Sequence, residues 1–183
     1  MTPEAHRSPA AGARVESGFS LGSNLGDRMG YLREAIRRLA STPGAELRAC
    51  APVYETEPVG VRPEYAELKY LNTVAIIASP LAPAEWLRRI AEIEGALGRV
   101  RTDDRYAPRT LDIDLIYHGA EMLGGRGVIV PHPRWAERVF VVRPLADVRP
   151  DLVLPGAGRT VREILEGLES APGPAVREFA ADG

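Results

Sequence analysis

"APRTLDIDLIYHG" (residues 107–119) alternates polar and apolar side chains with a period of two, the pattern of a half-buried strand. Residues i and i+2 of a strand face the same way. Thr110, Asp112, Asp114 and Ile116 therefore share one face, and Leu111, Ile113, Leu115 and Tyr117 share the other, toward a core. Two carboxylates roughly 7 Å apart along a half-buried face repel each other and lose hydration. Exposure to water, pairing with arginines, or a bound cation would each compensate, and the strand alone leaves all three open.

The neighbouring sequence narrows the choice. Arg99, Arg101, Arg105 and Arg109 precede the acid pair in a loop rich in polar residues. Arginines cradle phosphate oxygens bidentately, and carboxylates hold hard cations whose shells phosphates complete. Together they point to magnesium and a polyphosphate, as in two-metal phosphoryl transfer. A structural salt-bridge network would explain the charges but not the long loop.

Outward from this strand, the pattern reads as one domain over residues 17–170. A short strand from Ser17 to Leu21 runs into "GSNLGDR", where Asp27 is placed to cap a helix with Met29, Leu32, Ile36 and Leu39 at helical spacing. Leu47, Ala49, Ala51 and Val53 alternate as a strand. A loop with two prolines follows, then the strand "YLNTVAIIA" (70–78). Pro83 opens a second helix with Leu87, Ile90, Ile93 and Leu97 on its apolar stripe, and Gly98 ends it. Beyond residue 119 come a short strand "VIV", a strand expected over 140–148 ("FVVRPLADV") and a helix near 160–168. The order strand–helix–strand–strand–helix–strand predicts an α+β, ferredoxin-like sandwich: a βαββαβ core, an antiparallel sheet with helices on one face, and extra C-terminal strands and helices. Residues 1–16 are expected to be a disordered extension and 171–183 a flexible tail.

A net charge of −2 excludes an overall basic field for nucleic acid. The one cysteine, Cys50, rules out a disulfide framework. No apolar run is long enough to span a bilayer, and the N-terminus lacks a secretory apolar region. A cytoplasmic protein is the expectation.

Specific motifs then carry a resemblance. "SLGSNLGDR" (20–28), "YETEPVG" (54–60), "YLNTV" (70–74), "GRVR" (98–101), "PRTLDIDLI" (108–116) and "VPHPR" (130–134) occur in the order and spacing of the 6-hydroxymethyl-7,8-dihydropterin pyrophosphokinases of folate synthesis, which the chain resembles over residues 17–165. The resemblance implies transfer of the pyrophosphoryl group of ATP to the pterin hydroxymethyl, leaving AMP, with ATP as co-substrate and two Mg²⁺ ions. It implies Asp112 and Asp114 as metal ligands, and Arg99 and Arg109 as catalytic arginines of loops that close on ATP. Glu94, Arg101, His132 and Arg138 would serve the nucleotide. Thr56, Val59, Tyr70, Asn72 and Phe140 would hold the pterin, Tyr70 and Phe140 as a sandwich and Asn72 on the ring edge. Thr102, Tyr106, Gly127, Ile129 and Pro133 depart from the family pattern, with Arg126 a candidate stand-in for an arginine displaced by Gly127.

These assignments agree with the residue chemistry. Tyr70 and Asn72 share a strand face, and an amide offers the donor and acceptor that a pterin edge presents. Glu94 falls on an apolar stripe and needs a partner, for which a loop arginine is suited. His132 stands between two prolines, a rigidly presented imidazole. Small-molecule substrates, no nucleic acid, no membrane, a monomer, and association with neighbouring folate enzymes complete the expectation. The alternative is a non-catalytic nucleotide- or RNA-binding ferredoxin-like module. The acidic balance and the lack of an RNP-type aromatic motif speak against the RNA form of it.

Overall fold

The computed structural model describes residues 13–58, 61–100, 104, 107–125, 127–171, 173 and 175–180. Val59, Arg101, Thr102, Arg105, Tyr106 and Arg126 lie outside them. In chain order the elements are β1 (Val15–Ser23), α1 (Arg28–Ala40), β2 (Glu46–Cys50), β3 (Tyr54–Thr56), β4 (Tyr70–Ser79), α2 (Pro83–Ala96), β5 (Asp112–His118), β6 (Leu123–Gly125), β7 (Val128–Val130), α3 (Val139–Val148), α4 (Val161–Glu169) and β8 (Val176–Glu178). The main sheet runs β5-β1-β4-β3-β8, with β2 also on β4, and all its pairings are antiparallel. β2 and β3 serve as two pieces of one strand, which completes the ferredoxin-like βαββαβ order. β6 and β7 form a separate hairpin.

The local signals place the helices where spacing predicts. The Asp27 carboxylate accepts the Gly30 N–H at 2.9 Å and caps α1. Pro83 opens α2, and Gly98, at φ +80°, follows its end. Both faces of the sheet are buried. Phe19, Leu21, Leu71, Ile77, Ile113 and Leu115 pack under α1 and α2. Val74, Ile76, Ile116 and Tyr117 pack under α3 and α4. β4 contributes alternate residues to both cores, which is why it reads as a continuous apolar run.

Several expectations are corrected. The segment expected as a strand over 140–148 is the helix α3, despite its β-branched residues and Pro144. Val141, Val142 and Leu145 recur at helical spacing and bury one side against the sheet. A sheet with an apolar second face needs such a cover, and Pro144 would have broken a strand ladder. The tail expected to be flexible contributes β8, paired with β3. Val15 and Glu16, expected in a disordered extension, belong to β1. Strict alternation in β5 fails past Leu115. Gly18 pairs with Tyr117 and Phe19 with Leu115, so Ile116 is an extra residue, and Tyr117 turns to the α3 side. A Cβ on Gly18 would lie 2.3 Å from the Tyr117 ring, so only glycine lets that ring lie flat on β1.

Candidate active site

β1 sets the register of the site. Gly22 lies opposite both Asn72 on β4 and Asp112 on β5, and Ser20 lies opposite Val74 and Asp114. Opposed residues share a face, so Asp112, Asp114, Tyr70 and Asn72 all look toward the α3 side, at the end of the sheet from which the loops emerge. A Cβ on Gly22 would meet Asn72 Oδ1 at 3.0 Å, so the glycine leaves room between the acid and the amide.

Arginines crowd Asp112. Arg99 reaches one carboxylate oxygen at 2.6 Å and Arg109 the other at 3.0 Å. Arg99 also pairs with Glu94, which is 2% exposed and accepts the Ile113 N–H at 2.9 Å. Glu94 therefore ties α2 to the backbone of the acid strand while aiming Arg99 at Asp112. That is the arginine partner its place on the apolar stripe required.

Asp114 sits differently. Arg138 lies at 3.3 Å and His132 Nε2 at 4.0 Å. Burial, then the charge of Asp112, pushes its carboxyl above the usual carboxylate range. Burial lowers the His132 pKa, with Asp114 opposing. His132 Nδ1 accepts the Arg134 N–H at 3.2 Å, which leaves the proton of the neutral ring on Nε2, facing Asp114. The His132 N–H donates to Ile116 O at 2.8 Å and fixes this loop on the bulge of β5. Among the described residues, no three His, Cys, Asp or Glu side chains gather as a closed metal cage. The acid pair thus suits a hard cation that completes its shell with phosphate and water oxygens, as magnesium does.

The second half of the site lies across β1. Asn72 is 4% exposed, and its Nδ2 donates to Thr56 Oγ1 at 2.8 Å. That bond leaves Oδ1 on the Gly22 side as a free acceptor. Tyr70 stands two residues before Asn72, half-buried. Burial raises its hydroxyl pKa, with Arg109 opposing. Phe140 comes from the first turn of α3, and the Arg138 guanidinium lies 5.7 Å from its ring centroid. Arg138 thereby touches both the acid side and an aromatic of the ring side.

The structure brings together Arg99, Arg109, Asp112, Asp114, His132 and Arg138 on one side, and Thr56, Tyr70 and Asn72 on the other. Arg101 and Val59 fall outside the described residues. Gly127 has φ +82°, a conformation in which an arginine would be strained, and Ile129 is 53% exposed. Reading residue types missed Gly22 and Asn24. The Asn24 Oδ1 accepts the Arg109 N–H at 2.8 Å, and its N–H donates to Arg109 O at 3.2 Å. The motif "SLGSNLGDR" contains both residues, but their roles appear only when the neighbouring strands are in place.

Comparison with known proteins agrees with this geometry. The family model described as 7,8-dihydro-6-hydroxymethylpterin-pyrophosphokinase (HPPK) matches residues 18–150. A relative from Methylorubrum extorquens, 2-amino-4-hydroxy-6-hydroxymethyldihydropteridine pyrophosphokinase, is 41% identical over 152 residues, covering 82% of this chain and 92% of that protein. The Folic acid synthesis protein fol1 of Pneumocystis carinii is 35% identical over 148 residues, but those are 81% of this chain and only 19% of that larger protein. The crystal structure of Plasmodium falciparum HPPK-DHPS with pteroate superposes with a TM-score of 0.69, covering 89% of this chain and 44% of that one, at 12% identity, a likeness that speaks to the fold alone. The chain belongs to the 7,8-dihydro-6-hydroxymethylpterin-pyrophosphokinase family.

Proposed function

We infer that the chain transfers the pyrophosphoryl group of ATP to the hydroxymethyl of 6-hydroxymethyl-7,8-dihydropterin, giving AMP and the pterin diphosphate in folate biosynthesis. The observation that carries this reading is the row Asp112–Gly22–Asn72 across adjacent strands. It sets an acid pair and a ring-reading amide on one face roughly 10 Å apart, two strand spacings. A phosphate chain anchored at the acids then ends beside a ring held at the amide.

Each side chain has a part. Thr56 orients the Asn72 amide so that its oxygen accepts from the pterin edge. Tyr70 and Phe140 close on the two ring faces. Asp112 and Asp114 would hold two Mg²⁺ ions, which would offset phosphate charge and lower the pKa of the attacking hydroxyl. Arg99 and Arg109, poised on Asp112, turn to the phosphates as charge builds there. Arg138 and the Nε2–H of His132 donate to phosphate oxygens from the other side. Glu94 serves the nucleotide through Arg99, which it holds. Arg101 and Val59 keep the roles their motifs imply. Holding both substrates in register supplies most of the rate, as is usual for phosphoryl transfer.

The chain acts on small molecules, as a monomer in the cytoplasm, and associates with neighbouring folate enzymes; no helix among the described residues is long and apolar enough to cross a membrane. Incubation of the protein with ATP, Mg²⁺ and hydroxymethyl-dihydropterin tests the function. AMP and the pterin diphosphate should appear in equal amounts; ADP in place of AMP would refute the reaction.

A further inference from the structure

With the pterin reading of the site as its basis, we propose that β8 is the outer wall of the ring pocket, holding β3 in place for the Thr56–Asn72 pair. β3 has only three residues, and a strand this short with one partner is weakly held. β8 gives it a second partner. Thr56 lies between Tyr70 on β4 and Val176 on β8, and Tyr54 lies between Asn72 and Glu178.

Opposed residues share a face, so Tyr70, Thr56 and Val176 form one row across three strands. That row lies on the face of the acid pair. Val176 is half-buried and Thr56 only 4% exposed. An aliphatic side chain thus borders the hydroxyl that orients Asn72, on the side away from β4. β8 is anchored beyond its ladder: the Phe179 N–H donates to Val53 O at 2.7 Å, and the Phe179 side chain packs against the first core. Ala175 and Arg177 also line a polar cavity of about 240 Å³ with Glu55, Thr56, Glu57 and Lys69, so β8 and β3 meet around a shared recess. β8 therefore seals β3 along its whole length and adds an apolar rim to a pocket for a flat bicyclic ring.

Two variants test this: a chain ended at Gly173, and Val176→Gly, which keeps the Phe179 anchor and decides the matter if the shortened chain does not fold. Calorimetry would measure affinity for 6-hydroxymethylpterin and for a non-hydrolysable ATP analogue with Mg²⁺. Pterin affinity should fall about tenfold in the shortened chain and about threefold in Val176→Gly, the scale of one disturbed buried hydrogen bond, with nucleotide affinity kept. Amide exchange at residues 54–56 should quicken in both. Unchanged pterin affinity in a folded variant overturns the role of β8, as does an equal loss for both ligands, which would mark general loosening. A full-length chain that binds no pterin overturns the pterin reading itself, and the role of β8 with it.

Discussion

Asp112 and Asp114 carry the same group on the same strand face and live in opposite surroundings. Asp112 is clamped by two arginines; Asp114, half-buried, has one arginine at 3.3 Å, and desolvation and the charge of Asp112 raise its pKa. Because its folded pKa is raised, Asp114 favours folding below its ordinary pKa, and that benefit is lost as pH rises through the folded value. Asp114→Asn should therefore abolish turnover without lowering the melting temperature at neutral pH, the relief of the desolvated charge offsetting the weakened pairing with Arg138. The variant's melting temperature should gain on the parent's as pH rises from about 4 and the parent carboxyl ionises. Asp112→Ala should also abolish turnover but lower stability, on the order of 1–2 kcal/mol by denaturant melts, because Arg99 and Arg109 lose a shared partner. Asn72→Ala should weaken pterin binding about tenfold while sparing ATP, as measured by titration. The acid pair, Tyr70 and Asn72 were legible in the sequence because i and i+2 alternation acts within one strand. Gly22 was not, because a glycine's purpose depends on what faces it from the next strand.

At the level of elements, hydrogen bonds between loops matter as much as the helices and strands. Asn24 joins the turn after β1 to the backbone of Arg109 just before β5. Asn24→Ala should lower kcat on the order of tenfold to hundredfold by misplacing that arginine, while leaving pterin affinity nearly unchanged in steady-state and binding assays. Gly18→Ala should cost about 1–3 kcal/mol in a denaturant melt by overpacking against Tyr117. α1 and α2 were legible because caps and a 3.6-residue stripe are local signals. α3 was misread because its β-branched residues carry a strand preference that tertiary cover overrides. The bulge at Ile116 and the strand β8 depend on partners far along the chain, Gly18 and Thr56, which no local pattern announces.

Across the whole molecule, the βαββαβ order was readable because element types alternate in a way few topologies accommodate. That α3 and α4 would cover the second face was not readable, since that follows from how much apolar surface the assembled sheet leaves open. The strand ends beyond this cover hold the rows proposed to bind substrate. A pterin and an ATP analogue with Mg²⁺ should therefore each add about 2.7 kcal/mol of stability at a hundredfold excess over Kd, read as a higher melting temperature by calorimetry. One detail of β5 reaches further. It is an outermost strand of the sheet, yet Glu94 occupies its Ile113 amide, and the His132 amide occupies its Ile116 carbonyl. With an amide and a carbonyl of that margin already taken, a neighbouring molecule finds its hydrogen-bonding row interrupted at two points. The strand bearing the acids is thereby a poorer template for amyloid-like stacking than a bare edge, and aggregation of concentrated or heated protein should not begin there.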